Sequence, residues 1–397
     1  MAHFDLPAGY RFAGVASGIK KSGKLDLALI CTDQPAECAG VFTRNKVVAA
    51  PLLLTKPRIA NGRCQAILVN SGNANACTGE PGLQVAQATG RLIATALNIA
   101  EDLVAVASTG VIGVQMPLAP FETGVPKLLE VLSADQADRV AEAIMTTDAY
   151  AKIASARIEV QGSECRILGL AKGAGMIHPN MATMLGFVMT DAAVSSEFLA
   201  SVLRGAVDNS FNSITVDGDT STNDMVLLLA NGASGAPQIV AGTPEADRFT
   251  EALGRVLLDL AKMIVRDGEG ATKLVQIKVT GATDKQAAKT AARSVATSSL
   301  VKTAFFGEDA NWGRIIAAVG YSGIDVDPER INISFNQVAV VKNGLSTGPA
   351  LEAEATAVLK LDEFCVVVDL QQGVAESSYY TSDLGFEYVK INANYRT

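Results

Sequence analysis

Lys172-Gly173-Ala174-Gly175-Met176-Ile177-His178-Pro179-Asn180-Met181-Ala182-Thr183 is the stretch whose residue types best lend themselves to chemistry. Glycines at 173 and 175 permit tight or left-handed backbone. His178-Pro179-Asn180 favours a further turn. A small residue, Ala182, then precedes Thr183, which opens an apolar run. A threonine hydroxyl can attack a constrained peptide bond just before it. The acyl group moves from nitrogen to oxygen, and hydrolysis of the ester leaves a new N-terminal threonine. That residue carries its own general base, because its α-amine can take the proton of its side-chain hydroxyl. An α-amine has a pKa of roughly 7.7–8.0, near working pH, where general-base catalysis is most efficient. The same residues also suit an inert glycine-rich turn ahead of a strand, and the pattern alone leaves both open.

The supply of histidine makes this arrangement attractive. The chain has two, His3 and His178. A serine–histidine pair would have to use His178, since His3 lies in a terminus that commonly frays. Gly18-Ile19-Lys20-Lys21-Ser22-Gly23-Lys24 matches the start of a phosphate-binding loop, but Leu25 stands where Ser or Thr should hold magnesium. A basic hairpin turn fits better. Asp217–Asp224 is acidic yet lacks the glycine and glutamate of a calcium loop, which points to a turn or an active-site scaffold. No spacing of His, Cys and carboxylates suggests zinc, so no metal is expected. Ser108-Thr109-Gly110, taken alone, is an ordinary exit from a strand.

Over 397 residues, 49% are apolar and 19% charged, ample for a thick core and against disorder. A net charge of −8 disfavours nucleic acid as a partner. The N-terminal residues lack the basic and apolar regions of a signal peptide, and no apolar run approaches the roughly 20 residues of a membrane helix. A soluble cytoplasmic protein without membrane or nucleic-acid partners is therefore expected. Six scattered cysteines, none in a C-x-x-C pair, read as reduced core residues.

The elements that must position these residues alternate between strand and helix. Leu27–Thr32, Ala66–Asn70, Leu103–Ala107 and Thr183–Thr190 read as buried strands. Arg157–Val160 and Cys165–Leu170 form a hairpin. A helix follows Pro81. Ser133-Ala134-Asp135-Gln136 reads as a capping box opening a helix to about Thr147. Ser195 caps another helix, Thr243-Pro244 starts a long one, and a single helix spans roughly 284–303. Val275, Ile277 and Val279 alternate as a strand, and the chain beyond about 330 is rich in strands. Mixed α and β, α+β or α/β, is the expected class, with Gly232–Pro237 as a surface loop.

Several segments together resemble the glutamate N-acetyltransferase family, the ornithine acetyltransferases of arginine biosynthesis. They are Lys172–Gly186, Asn70–Gly79, Asn212–Asp224, Asp267–Thr272, Asn311–Arg314 and Lys390–Thr397, spread in order over essentially the whole chain. The resemblance implies an α/β/β/α sandwich-like fold and a precursor that cuts itself between Ala182 and Thr183. Residues 1–182 become an α chain and 183–397 a β chain, together one catalytic unit, paired into a heterotetramer of two α and two β chains. By similarity, Thr183 takes the acetyl group from N2-acetyl-L-ornithine and passes it to L-glutamate in a ping-pong cycle. Thr109 and Gly110 match the oxyanion hole. Thr147, Lys172, Thr183, Glu269, Asn392 and Thr397 match substrate contacts, with Thr146 a rival to Thr147. Lys172 suits an α-carboxylate and Glu269 an ornithine ammonium, assignments made from charge. The family often has an acidic residue where this chain has Asn394. No cofactor is implied, and acetyl-CoA is a candidate second acetyl donor. A self-processing aminopeptidase or amidohydrolase of related fold is the alternative.

Two outcomes follow from this reading. Thr183→Ala stays one uncleaved, inactive chain in intact-mass analysis. Gly110→Val folds but loses most turnover.

Overall fold

The computed structural model describes residues 4–178 and 184–394. Ala182, Thr183 and Thr397 lie outside the described residues. The chain packs as two units: residues up to Asn212 with Thr220–Ile264, and Ser213–Asp219 with residues from Val265 onward. This division by packing differs from the expected covalent one at 182.

The first unit is built on an eight-stranded sheet. Its strands are β1 (Tyr10–Val15), β2 (Leu27–Phe42), β3 (Arg63–Asn73), β4 (Val104–Val111), β5 (Lys152–Val160), β6 (Ser163–Lys172), β7 (Leu185–Thr190) and β9 (Met225–Ala230). Their order is β4-β3-β2-β9-β7-β6-β5, with β1 beside β2. β7 and β9 are parallel neighbours, and every residue in both is buried. Continuous apolar runs are what a strand covered on both faces requires. Along β2 the two faces alternate: Leu27 and Leu29 join one core with Phe121 and Val125, whereas Ala28 and Ile30 join another with Val140 and Ile144. Those partners come from α3 (Ala119–Glu130) and α4 (Ala137–Ala143) with the residue just after it, alongside α1 (Ala50–Arg58) and α2 (Gly79–Leu97).

α5 (Ser196–Asp208) starts as expected, with the Ser195 hydroxyl accepting from the Phe198 N–H. α6 (Pro244–Arg266) buries Phe249, Leu253, Val256, Leu260 and Ile264. Gly169 on β6 is needed here, because a Cβ would lie 2.7 Å from Leu260 and 2.8 Å from Val256. The β5–β6 hairpin turns through Gln161 and Gly162, both with positive φ, as a two-residue hairpin loop demands.

β6 and β7 are antiparallel, with Lys172 opposite Leu185. The expected cleavage point thus falls in the connection between two paired strands. Strands from before and after it are interleaved in one sheet, β2 against β9 and β6 against β7.

The basic loop after β1 is a hairpin connection, since Val15 pairs with Leu27. The fully buried Asp26 carboxylate accepts from the backbone N–H groups of Ser17 (2.6 Å), Gly18 (3.1 Å) and Lys20 (2.8 Å), and from the Ser17 hydroxyl (2.9 Å). Amides that a phosphate would need are already committed to an internal anion.

Two helix expectations need correction. α4 begins only at Ala137 and ends at Ala143; Ser133 bonds Asp135 and caps nothing. The helix expected over 284–303 is two, α7 (Lys285–Thr297) and α8 (Ser299–Phe306). Ser298 ends the first, and its hydroxyl caps the second by accepting from the Val301 N–H.

The second unit carries a seven-stranded sheet: β8 (Ile214–Thr215), β10 (Leu274–Ala282), β11 (Asn332–Phe335), β12 (Val338–Lys342), β13 (Leu345–Ser346), β14 (Glu363–Asp369) and β15 (Ala375–Ser382). Their order is β13-β12-β11-β14-β10-β15-β8. Val275, Ile277 and Val279 bury one face with Ala291 and Val295 of α7, Ile315 of α9 (Trp312–Gly320) and Leu359 of α10 (Pro349–Leu359). α11 (Phe386–Asn394) closes the described chain.

Asp26→Ala removes at once the acceptor of three backbone N–H groups and one hydroxyl. A loss on the order of 3 kcal/mol is expected, read as a fall in melting temperature of about 4 °C.

Candidate active site

In the first unit the chemistry-bearing residues converge at the ends of β4 and β6. Thr109 and Gly110 are the exit of β4, and Lys172 is the last residue of β6. Both Thr109 and Lys172 are buried. The Lys172 ammonium donates to the Thr109 hydroxyl oxygen at 3.4 Å. A hydroxyl has two acceptor lone pairs and one donor, so this contact leaves the Thr109 proton for another acceptor. Gly110 has φ +131°, and a Cβ there would lie 2.4 Å from the Gly72 carbonyl carbon and 2.6 Å from the Asn73 nitrogen. Both neighbours are backbone, so a side chain at 110 forces β3 and β4 apart. Gly110→Val is therefore corrected to a variant that disturbs the fold, which makes Thr109 the cleaner probe.

Asp148 fixes Lys172 from behind. Its Oδ1 accepts from the Lys152 ammonium at 2.7 Å and from the Gly173 N–H at 2.6 Å; its Oδ2 accepts from the Thr146 N–H at 2.9 Å. The side chains of Lys152 and Asp148 are both wholly buried. Burial alone would push the Asp148 acid up, but the charges of Lys172 and Lys152 outweigh it and hold the carboxyl below the usual aspartate range. Thr147 is half-buried between Thr146 and Asp148. Lys20 holds the front of the same turn by donating to the Met145 carbonyl at 2.8 Å and the Leu25 carbonyl at 2.7 Å. Desolvation lowers its pKa to about 8.

An amide scaffold supports the Thr109–Gly110 exit. The Asn223 side-chain amide donates to the carbonyls of Ala74 (2.5 Å) and Ser108 (2.9 Å). The Ser108 hydroxyl donates to Asn70 Oδ1 at 2.6 Å, and Asn70 Nδ2 donates to the Asn73 carbonyl at 2.9 Å. Asn75 Nδ2 reaches the Gly82 carbonyl at 2.9 Å, and its Oδ1 accepts from the Thr78 hydroxyl at 2.8 Å. Much of the asparagine-rich 70–79 motif thus works as backbone support.

In the second unit, Glu269 and Asn392 meet. Asn392 Nδ2 donates to Glu269 Oε2 at 2.9 Å, and Glu269 is buried. Gly270, with φ +70°, lets α11 approach, since a Cβ would sit 2.4 Å from the Tyr388 nitrogen. Asp383 anchors the motif's far end by accepting from the N–H groups of Thr272 (2.8 Å) and Lys273 (3.0 Å) and the Thr272 hydroxyl (2.6 Å). Burial pushes the Tyr388 phenol up, and Asp217, Asp219 and Glu269 push it further. Among the described residues no cluster of His, Cys, Asp and Glu is arranged to hold a metal, and no helix is long and apolar enough to cross a membrane.

The structure thus brings Lys172 to Thr109 beside Gly110, and Asn392 to Glu269. It places Thr147 next to Asp148 without distinguishing it from Thr146. Asp148, Asn223 and Asp224 were missed as individual residues by sequence reasoning. The one local signal for Asp148 was a lysine four positions on.

A lysine-contacted hydroxyl beside a glycine that admits no side chain is suited to stabilising an oxyanion in acyl transfer. Known proteins agree on an acyltransferase class. The ArgJ family model matches residues 11–397. An "Arginine biosynthesis bifunctional protein ArgJ" from Syntrophotalea carbinolica is 63% identical over 389 residues, covering 98% of this chain and 99% of its own length. Its namesake from Geobacter sulfurreducens is 54% identical with the same coverage. The crystal structure of the Bacillus halodurans protein of that name is 45% identical, with a TM-score of 0.51, and covers 53% of this chain and 98% of its own. The chain belongs to the ArgJ family.

Asp148→Asn leaves two buried ammonium groups without their carboxylate, a loss of about 3–5 kcal/mol at neutral pH. The sign with pH follows from the lowered acid. Its contribution is complete above the ordinary aspartate pKa of about 3.9, and declines as pH falls below that toward the folded value. Thermal melts across an acid series should show that dependence in the native chain and its loss in the variant.

Proposed function

We propose that the chain cuts itself between Ala182 and Thr183, and that the new N-terminal threonine carries acetyl from N2-acetyl-L-ornithine to L-glutamate. The observation that carries this reading is the contact of Lys172 with Thr109 beside Gly110. Membership of a family whose relatives are named for arginine biosynthesis supports it. So does the solved Bacillus halodurans chain, which spans 98% of itself but 53% of this one. That share is close to the part of this chain beyond residue 182.

In the first half-reaction the α-amine of Thr183 takes its hydroxyl proton, and the oxygen attacks the acetyl carbon. The oxyanion is held by the Thr109 hydroxyl and the Gly110 N–H. The proton passes to the departing amine of ornithine, and an acetyl ester remains on Thr183. Glutamate's amine then attacks the ester, and its proton returns to the threonine oxygen. Lys172 pairs with the substrate α-carboxylate and Glu269 with the ornithine ammonium, while Thr147, Asn392 and Thr397 complete the substrate contacts. The cycle needs no cofactor. Acetyl-CoA as a second donor to the same threonine is the extension that the relatives' "bifunctional" name supports. The α and β chains pair as two of each, in the cytoplasm.

Purified protein given N-acetylornithine and glutamate should form ornithine and N-acetylglutamate in equal amounts. With N-acetylornithine alone, the fragment beginning at Thr183 should gain the mass of one acetyl group. Acetate as the main product in the presence of glutamate would overturn the transferase reading in favour of a hydrolase. Replacing N-acetylornithine by acetyl-CoA tests the second donor by the same product.

A further inference from the structure

Self-cleavage sets a problem that turnover does not. Before the cut, residue 183 has an amide nitrogen and no α-amine, so the base of the mature enzyme does not yet exist. The hydroxyl must still lose a proton, and the departing nitrogen must gain one.

Asp224 lies where such protons could be handled. β7 and β9 run parallel with Leu185 opposite Met225, and the Met225 N–H donates to the Met184 carbonyl at 3.2 Å. Asp224 therefore sits at the end of this ladder beside Met184, the residue that follows Thr183 in the chain. Its backbone is pinned on both sides. The Thr43 N–H donates to the Asp224 carbonyl at 3.0 Å, and the neighbouring Asn223 is clamped to Ala74 and Ser108. The Asp224 side chain is 2% exposed, and its Oδ2 has no hydrogen-bond partner, the one such buried side-chain atom among the described residues. A buried polar atom left unpaired calls for an explanation beyond packing.

We propose that Asp224 carries the protons of the self-cleavage step, accepting one from the Thr183 hydroxyl and delivering another to the Thr183 nitrogen. The proposal rests on the cleavage reading above. In the step, the bond from Thr183 Oγ to the Ala182 carbonyl carbon forms and the Ala182–Thr183 C–N bond breaks. One carboxyl oxygen of Asp224 gains the hydroxyl proton as the other gives its own to the nitrogen, so the carboxyl ends as it began. Water then hydrolyses the ester and returns the hydroxyl. A neutral carboxyl, with one donor and one acceptor oxygen, suits this exchange. Burial favours that form by raising the acid well above its usual value, against the smaller lowering influences of Ser221 on the preceding loop and of the charge of Lys172 at the end of β6.

The test follows freshly synthesised full-length chain by intact mass over time. Native chain, Asp224→Asn and Thr183→Ala are compared in a cell-free system, together with their melting temperatures. Asparagine keeps the shape but cannot exchange protons in this way, so cleavage should slow by at least about 100-fold, the lower range for acid–base catalysis. Equal cleavage of native chain and Asp224→Asn overturns the proposal and leaves the cleavage reading intact. Failure of the native chain to cleave removes that reading itself. Ser221→Ala supplies a readout that a structural role would not move, and decides the matter if Asp224→Asn does not fold. Removing the Ser221 hydroxyl, whose influence lowers the acid, raises it further, so the alkaline fall in cleavage rate should shift to higher pH. An unshifted profile overturns the proposal.

Discussion

A single carboxylate, Asp148, ties the first unit's chemistry to its framework. It accepts from a fully buried lysine, from the amide just after Lys172 and from the amide of Thr146. Charges taken out of water are tolerated only when paired and hydrogen-bonded. Lys152 satisfies the charge, and the two amides use the remaining acceptor capacity to bind separate pieces of chain. The result is that the end of β6 and the turn carrying Thr147 share one anchor. Lys172 can then present its ammonium to Thr109 from a fixed position rather than from a solvated turn.

The surrounding polar residues divide into those that hold backbone and those available for chemistry. Asn70, Asn75 and Asn223 spend their amides on carbonyls of neighbouring loops. Preorganisation of this kind is what an oxyanion hole requires, because donors that must reorient during reaction lose much of their advantage. Glu269 in the second unit receives similar treatment: a glycine admits α11, Asn392 meets the carboxylate, and Asp383 pins the downstream strand entry.

How much of this the sequence disclosed depended on the kind of signal. β7 is legible as a run apolar on both faces, and α5 and α6 from their caps and periodicity. β2 was read only to Thr32, because Asp33, Gln34 and Pro35 look like a turn; the strand absorbs them at an irregularity between Cys31 and Ala36 and continues to Phe42. The break between α7 and α8 was hidden because a serine inside a helical pattern gives no warning that its hydroxyl will start a new helix. Thr109, Gly110, Lys172, Glu269 and Asn392 stood out through family resemblance, since each is an ordinary residue for its local position. Asp148, Asn223 and Asp224 resemble solvated turn residues in a linear sequence. Only long-range packing makes them buried, and burial is what gives them their roles.

The interleaving of β6 with β7 and of β2 with β9 bears on the enzyme's life history. If the connection between β6 and β7 is severed, the sheet survives, but its strands belong to two molecules. Reassembly after denaturation would then require an encounter between separate polypeptides, without the effective concentration that covalent linkage supplies. Such a protein can complete its architecture once, as a precursor. Thereafter its persistence is governed by how slowly it comes apart, a matter of kinetic durability rather than of reversible equilibrium.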